Sequence, residues 1–361
     1  MPVRSVFFSR SSFIRSSYLH RTLLTSSAQD VTEVFGNPRS LQTFGKIAVR
    51  SMEMIDLSII IVNWNVAALL SACLDSIRAS SPECGIEIIV VDSASTDDSV
   101  PMLRERYPDV TLIAETDNVG FTRGCNIGMA QAHGRYLFLL NPDTEIVGDA
   151  LDALVRFMDA HSDVGIAGAH TLNTDGTYQS TRRRFPTLAT AIFESTWLQG
   201  VAPRAILDRY YVNDAPQNAT LEVDWVQGSA LIARREVYEQ IGGLDEGFIM
   251  YSEELDWCRR AKSAGWRVMF VSDAVIIHHG GKSSEQVAPR KHILFQQSKL
   301  RYFRKHHGRF AAQSLRLFLL ASYGWQILEE SAKSLLGHKR AMRQERIRAY
   351  WQVLRSGLRV T

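Results

Sequence analysis

Residues 135–146 read RYLFLLNPDTEI. An apolar run stops abruptly on Asn141, Pro142, Asp143, Thr144 and Glu145. A buried strand that ends in a cluster of oxygen-bearing side chains ends where something charged can be held. The same residues also suit a simple turn, with Asp143 or Thr144 capping a helix near residue 148. Three further runs resemble this one: LSIIIV at 57–62, IEIIVV at 86–91 and VTLIA at 110–114. Between them, Leu69, Leu70, Cys73, Leu74 and Ile77 recur at helical spacing. Ser95 or Thr96 can open a second helix, and a third is expected over about 123–132.

Apolar strands alternating with helices predict an α/β fold, with a mostly parallel central sheet flanked by helices. In such sheets a ligand sits beyond the carboxyl ends of the strands. The tips there are Asn63-Trp64-Asn65, Asp92-Ser93-Ala94-Ser95, Glu115 through Arg123, and Asn141 through Glu145, and all are polar. After the first strand the chain reads NWNVAALL, without glycine. That excludes both a dinucleotide-binding G-x-G-x-x-G turn and a phosphate-loop NTPase, leaving a sheet that reads its ligand with side chains.

Further along, Asn173-Thr174-Asp175-Gly176 predicts a hairpin turn leading to Arg182-Arg183-Arg184, which could meet a diphosphate or be merely solvated. VDWVQGSALIAR, 223–234, reads as one strand. Ser252 can cap a helix whose first turn holds Glu253, Glu254 and Asp256; acids there suit the helix dipole, and Asp256 can pair with Arg260.

The chain of 361 residues, 45% apolar, carries a formal charge of +3 that hides an asymmetry. Residues 52–289 hold 18 Lys and Arg against 33 acids, and residues 290–361 hold 16 against 3. An acidic body argues against nucleic acid as a partner. A basic tail with Phe318, Leu319, Trp325 and Leu328 predicts amphipathic helices, suited either to an anionic membrane surface or to packing on the protein's own body. No apolar run approaches the roughly 18 to 20 residues of a membrane span. Cys73, Cys84, Cys125 and Cys258 show neither C-x-x-C nor zinc-ligand spacing and read as free thiols in a reducing compartment. Residues 1–51, rich in Arg and Ser with no acid before Asp30, read either as a transit peptide or as an extension ahead of a true start at Met52 or Met54. The expected organisation is that N-terminal extension, a body over 52–289 and a basic helical tail over 290–361.

The strings SIIIVNWN, IIVVDSASTDDS, DNVGFTRGCNIGMAQAHG, YLFLLNPDTEI, WVQGSALIARREVYEQIGGLDEGFIMYSEELDWCRRAKSAGW and IIHHGGKS occur in collinear order over about residues 56–303. Together they resemble the family 2 glycosyltransferases, and within them the rhamnosyltransferase-like members that build bacterial surface polysaccharides. The resemblance implies a GT-A fold and a nucleotide-diphospho-sugar donor bound with a divalent metal, Mg²⁺ or Mn²⁺. It places the metal on Asp143 and His278, the latter in an HxGGxS pattern with Gly280, Gly281 and Ser283; His279 competes with His278. Where the family has a D-x-D pair, this chain has Asn141-x-Asp143, with one carboxylate only. The resemblance further assigns Asp92 to the base, Asn63 and Asn65 to base and ribose, Asn118, Gly120, Arg123 and Asn126 to the nucleotide-sugar, and Trp225, Gly228 and Ser229 to the sugar and acceptor pocket. Glu254 is the expected general base of an inverting transfer, with Asp256 second.

The function so implied is transfer of a sugar, foremost L-rhamnose from dTDP-rhamnose, to a polyprenyl-diphosphate-linked or polysaccharide acceptor in cell-surface glycan synthesis. The expected location is the cytoplasm, peripheral on the inner face of the plasma membrane. The other reading is a catalytically silent sugar-nucleotide-binding or assembly subunit, suggested by Asn141 alone.

Overall fold

The computed structural model describes residues 55–194, 196–280, 288–336 and 339–359. The N-terminal extension, Gly281 and Ser283 lie outside the described residues. The four expected strands form as β1 (Leu57–Asn63), β2 (Ile86–Asp92), β3 (Thr111–Ala114) and β4 (Tyr136–Leu140). Helices α1 (Ala67–Ser80), α2 (Ser99–Arg106) and α3 (Gly120–Gln131) connect them. Next come β5 (Thr144–Ile146), α4 (Ala150–Ala160), β6 (Val164–Leu172), β7 (Arg182–Arg183), α5 (Leu188–Phe193) and α6 (Arg204–Tyr211). The body closes with β8 (Leu221–Val223), β9 (Trp225–Val226), β10 (Ala230–Arg234), α7 (Arg235–Ile241), α8 (Glu253–Ser263) and β11 (Arg267–His278). The tail is α9 (Ala288–Leu335), interrupted at Gly308, and α10 (Arg340–Ser356).

Nine strands make one sheet in the order β3-β2-β1-β4-β10-β6-β11-β5, with β8 also on β11. Strands β1 to β4 run parallel, β10 runs against both β4 and β6, and β6 pairs parallel with β11. Every residue of β1 is buried. Its side chains alternate between two cores: Leu57, Ile59 and Ile61 join one, Ile60 and Val62 the other. This is why the strands read as continuous apolar runs: both faces of the sheet are covered. Leu70, Cys73, Leu74 and Ile77 of α1 and Leu151, Leu154 and Met158 of α4 cover one face. Helices α3, α8 and α9 cover the other.

Helix α3 approaches the sheet closely because it presents glycine. A β-carbon at Gly128 would lie 2.4 Å from Ile60 Cγ2, and one at Gly124 would lie 2.8 Å from Val62 Cγ1. Its buried residues are Thr122, Gly124, Cys125, Gly128 and Met129, so Arg123 falls on the solvent side.

The first half of α9 is part of the body. Tyr302 and Phe303 are buried in the same core as Trp257, and Lys305 and His306 bond to Asp256. Among the described residues, no helix is long and apolar enough to cross a membrane. All four cysteines are free thiols.

Two expectations need correction. The run 223–234 is not one strand: β9 and β10 are separated at Gln227–Ser229, because that segment turns to line a cleft. Of the arginines 182–184, the first two are buried rather than solvated or open to an acceptor, and Arg184 is half-exposed. Arg182 is buried and donates to the carbonyls of Pro216, Val212 and Ala215; Arg183 is buried under Tyr211, its guanidinium 4.5 Å from the ring centre. Arg184 stands 3.9 Å from Asp224.

Candidate active site

A cleft of about 680 Å³ opens where the carboxyl ends of the parallel strands meet. Trp64 and Ser93 reach it from the tips of β1 and β2, Asn118 to Phe121 from the entry to α3, and Asn141 to Asp143 from the end of β4. Gln227, Gly228 and Ser229, Ile249 to Tyr251 with Glu253 and Glu254, and His278 and Leu294 complete its lining.

At one end, Asp143 and His278 converge, with Nε2 of His278 3.3 Å from Asp143 Oδ1. The ring is held from behind by Gln179, whose Oε1 lies 2.7 Å from Nδ1. An amide oxygen can only accept, so Nδ1 carries a proton, and in the neutral ring Nε2 presents its lone pair to the cleft. Asn141 Nδ2 lies 3.3 Å from the same nitrogen. A lone pair and a carboxylate oxygen facing each other are two acceptors that favour a cation between them. The spacing of the two acceptors is compatible with a shared divalent ion, which Asp143 and His278 would hold. Among the described residues, no three His, Cys, Asp or Glu side chains gather around one point. The competing His279 is engaged elsewhere, with Nε2 2.6 Å from Glu145 Oε1.

At the other end stands Glu254, in the first turn of α8. Its Oε2 is buried without a hydrogen-bond partner, as is that of Glu253 beside it. Burial raises the Glu254 carboxyl above the usual range, and backbone hydrogen bonds only partly offset this. Burial and the neighbouring Glu254 charge push Glu253 higher still. The turn before them is strained: Tyr251 and Ser252 hold φ of 70° and 65°, a left-handed conformation costly for side chains other than glycine. Ser252 therefore caps α8 through its carbonyl, which accepts from Asp256 N, and its side chain makes no capping bond. Helix α9 holds this turn, through Ser298 Oγ donating to Met250 O at 2.7 Å and Phe295 edge-on to Tyr251. Gly228 packs on Glu254; a β-carbon there would lie 3.5 Å from Glu254 Cβ.

The remaining expected site residues divide into two groups. Asn118 and Gly120 line the cleft, where Asn118 Oδ1 accepts from Ser93 Oγ and Gly120 N. The others stand behind it. Asp92 is buried, and its two oxygens accept from Asn63 Nδ2 at 2.7 Å and Ser95 N at 2.9 Å. Asn65 Oδ1 accepts from Thr96 N. These bonds knit the first two strand tips into a floor. Asn126 pins the loop at Leu244, accepting from its N–H and donating to its carbonyl. Trp225 is buried and donates to Arg184 O. Asp256 is fully buried between Arg260, Lys305 and His306. Burial alone would raise its carboxyl, but hydrogen bonds from His306, Lys305 and Arg260 bring it down to about 2. Gln179, Gln227, Tyr251 and Glu253 were not anticipated at the site.

The sheet order, the cleft at the strand ends and the two-carboxylate layout define a GT-A transferase, and similarity to known proteins agrees. Residues 58–257 match the family model described as glycosyl transferase family 2, and the chain belongs to that family. The chain is 26% identical over 252 residues to an N-acetylglucosaminyl-diphospho-decaprenol L-rhamnosyltransferase of Mycobacterium tuberculosis, covering 66% of this chain and 80% of that protein. It is 26% identical over 198 residues to rhamnosyltransferase WbbL of Escherichia coli, covering 51% and 69%. A mannosyltransferase of Pyrobaculum calidifontis, solved in complex with GDP-Man and Mn²⁺, shares the fold with a TM-score of 0.50 at 18% identity, over 84% of this chain and 88% of that one. The protein is thus a family 2 glycosyltransferase, similar to rhamnosyltransferases.

Proposed function

We propose that the protein transfers L-rhamnose from dTDP-L-rhamnose, with inversion, to a hydroxyl of a polyprenyl-diphosphate-linked glycan at the cytoplasmic face of a membrane. The observation that carries this reading is the presence, in one cleft, of a buried Glu254 carboxylate oxygen, Oε2, without a hydrogen-bond partner and an oriented Asp143–His278 pair. The identity of the sugar and of the acceptor is supported by similarity to the two rhamnosyltransferases.

In this mechanism the diphosphate lies against Asp143 and His278, which together would hold a Mg²⁺ or Mn²⁺. The metal, when bound, neutralises charge on the departing diphosphate. Asn118 and the Gly120 backbone face the donor where the α3 N-terminus favours negative charge. The segment Gln227–Ser229 and Trp64 bound the sugar. Glu254 accepts the proton of the attacking acceptor hydroxyl at Oε2, so that the new bond forms on the face opposite the leaving group. Its raised pKa gives it the basicity this requires, and Gly228 leaves room for the acceptor beside it. Asp92 orients Asn63 and the β2 tip beneath the base, and Asp256 acts by holding α8 to α9. The tail from residue 290 supports the Glu254 turn with one face and meets the membrane with the other.

The test is a thermal-shift panel of dTDP-, UDP-, GDP- and CMP-sugars with and without Mn²⁺. A true donor at a hundredfold excess over its dissociation constant contributes about 2.7 kcal/mol. A Mn²⁺-dependent shift with dTDP-rhamnose alone supports the reading, and a shift with another nucleotide sugar instead overturns the choice of donor.

A further inference from the structure

A second cavity, of about 430 Å³, lies away from the cleft, between the interruption of α9 at Gly308 and the end of α10. Its wall holds Arg304, Arg309, Arg316 and Arg359, with Leu300 and Ala312 as apolar floor. Among the described residues no carboxylate lines it. Arg309, Arg316 and Arg359 bring three guanidinium groups to one concavity, where an anion would offset their mutual repulsion. The arrangement is built: Arg316 Nε donates to Gly357 O at 2.7 Å, and a β-carbon at Gly357 would lie 3.4 Å from Arg316 Nη2 and 3.9 Å from Arg359 Nε. Gly308, at φ 88° and ψ 170°, ends one helical segment, so the positive end of the next adds to the field. Guanidinium forks match phosphate oxygens in pairs.

The neighbouring helix surface says which phosphate. Phe310, Leu317, Leu328 and Leu335 follow one line along α9 and are 87%, 65%, 65% and 83% exposed. The line extends about 37 Å at 1.5 Å per residue. Trp325 stands beside it, 6.4 Å from the exposed Trp197 of the body. Arg309 and Arg316 each precede a residue of this line, which puts their charges along its edge. An apolar stripe edged by arginines fits the boundary between acyl chains and anionic headgroups.

We propose that this cavity binds the phosphate headgroup of an anionic membrane lipid, and that the apolar stripe of α9 lies against the acyl region beside it. The inference rests on the proposed membrane-linked acceptor. Leu294 lines the cleft and Leu300 this cavity, so one helix, α9, connects the two sites, and a lipid held at the second fixes the height of the first above the membrane.

The test is co-sedimentation of the full chain with phosphatidylcholine vesicles, with and without phosphatidylglycerol, in the absence of donor and acceptor. The wild type is expected to bind only the anionic vesicles. R309Q/R359Q, at two exposed positions, is expected to weaken binding about fivefold per arginine removed, R309K/R359K to retain most of it, and Phe310→Ser to weaken it with all charges intact. Equal binding to neutral vesicles, or unchanged binding by R309Q/R359Q at an unchanged melting temperature, overturns the proposal. Stabilisation by inorganic phosphate, lost in R309Q/R359Q, with no vesicle binding assigns the cavity to a soluble phosphate and overturns the lipid. Because no sugar is present, failure here leaves glycosyl transfer untouched, and failure of transfer leaves vesicle binding untouched.

Discussion

Nε2 of His278 stands 3.3 Å from Oδ1 of Asp143, while Nδ1 of the same ring is 2.7 Å from Gln179 Oε1. The second contact fixes what the first can do, since it decides which nitrogen is bare. Gln179→Leu is therefore expected to weaken Mn²⁺ affinity about 10- to 100-fold without a comparable loss of melting temperature. Asp143→Asn and His278→Ala should abolish the metal-dependent part of donor binding. Isothermal titration of Mn²⁺ in the presence of donor reads all three, and unchanged affinity in Gln179→Leu contradicts the orienting role.

The Glu254 carboxyl is raised by burial, and a general base works only when ionised. Turnover is expected to climb with pH as Glu254 loses its proton, with a midpoint above the usual carboxylate value. E254Q should lose that limb of the profile. A pH–rate profile of kcat in the wild type that is flat across the acid range contradicts the assignment.

Asp256 behaves in the opposite way. Its hydrogen-bonded carboxyl is held down to about 2, below the ordinary 3.8, so its stabilisation is present above that ordinary value and lost as pH falls through about 2. The contribution is on the order of 2 kcal/mol. Asp256→Asn leaves His306 and Arg260 without this anion, while Lys305 keeps Asp245, and is expected to cost about 3 to 5 kcal/mol. Urea titrations at neutral pH and near pH 3 measure both. A stable D256N protein without transfer would instead place Asp256 in the chemistry.

Gly128 sits under Ile60 with no room for a side chain. Gly128→Ala is expected to destabilise by about 1 to 3 kcal/mol through overpacking, whereas Gly228→Ala meets only ordinary contacts at Glu254 and should leave stability near wild type. Thermal melts of the two variants check the contrast.

The strand tips were legible in the sequence because each buried run stops on polar residues, and the sheet puts those stops together. What escaped reading depends on register and distance. Arg123 was expected at the cleft, but α3 starts at Gly120, and its buried stripe of Thr122, Cys125 and Met129 turns Arg123 outward. Gln179 is 99 residues from the histidine it orients, and no local pattern links them. The run WVQGSALIAR has strand composition throughout, yet its middle leaves the strand geometry to line the cleft. The strained turn at Tyr251 and Ser252 is invisible in composition, because neither residue is one that favours positive φ. The arginines 182–184 read as an anion site, but the carbonyls that hold Arg182 come from residues 212–216, a contact that only the fold creates.

The measurement that bears most directly on the account is single-turnover transfer from dTDP-L-rhamnose to a polyprenyl-diphosphate-linked acceptor in the presence of Mn²⁺, comparing wild type with E254Q. The account predicts inverted product from the wild type and a rate roughly 10²- to 10⁴-fold lower in E254Q, with donor affinity unchanged. Full turnover by E254Q, or product that retains the donor's anomeric configuration, would contradict it.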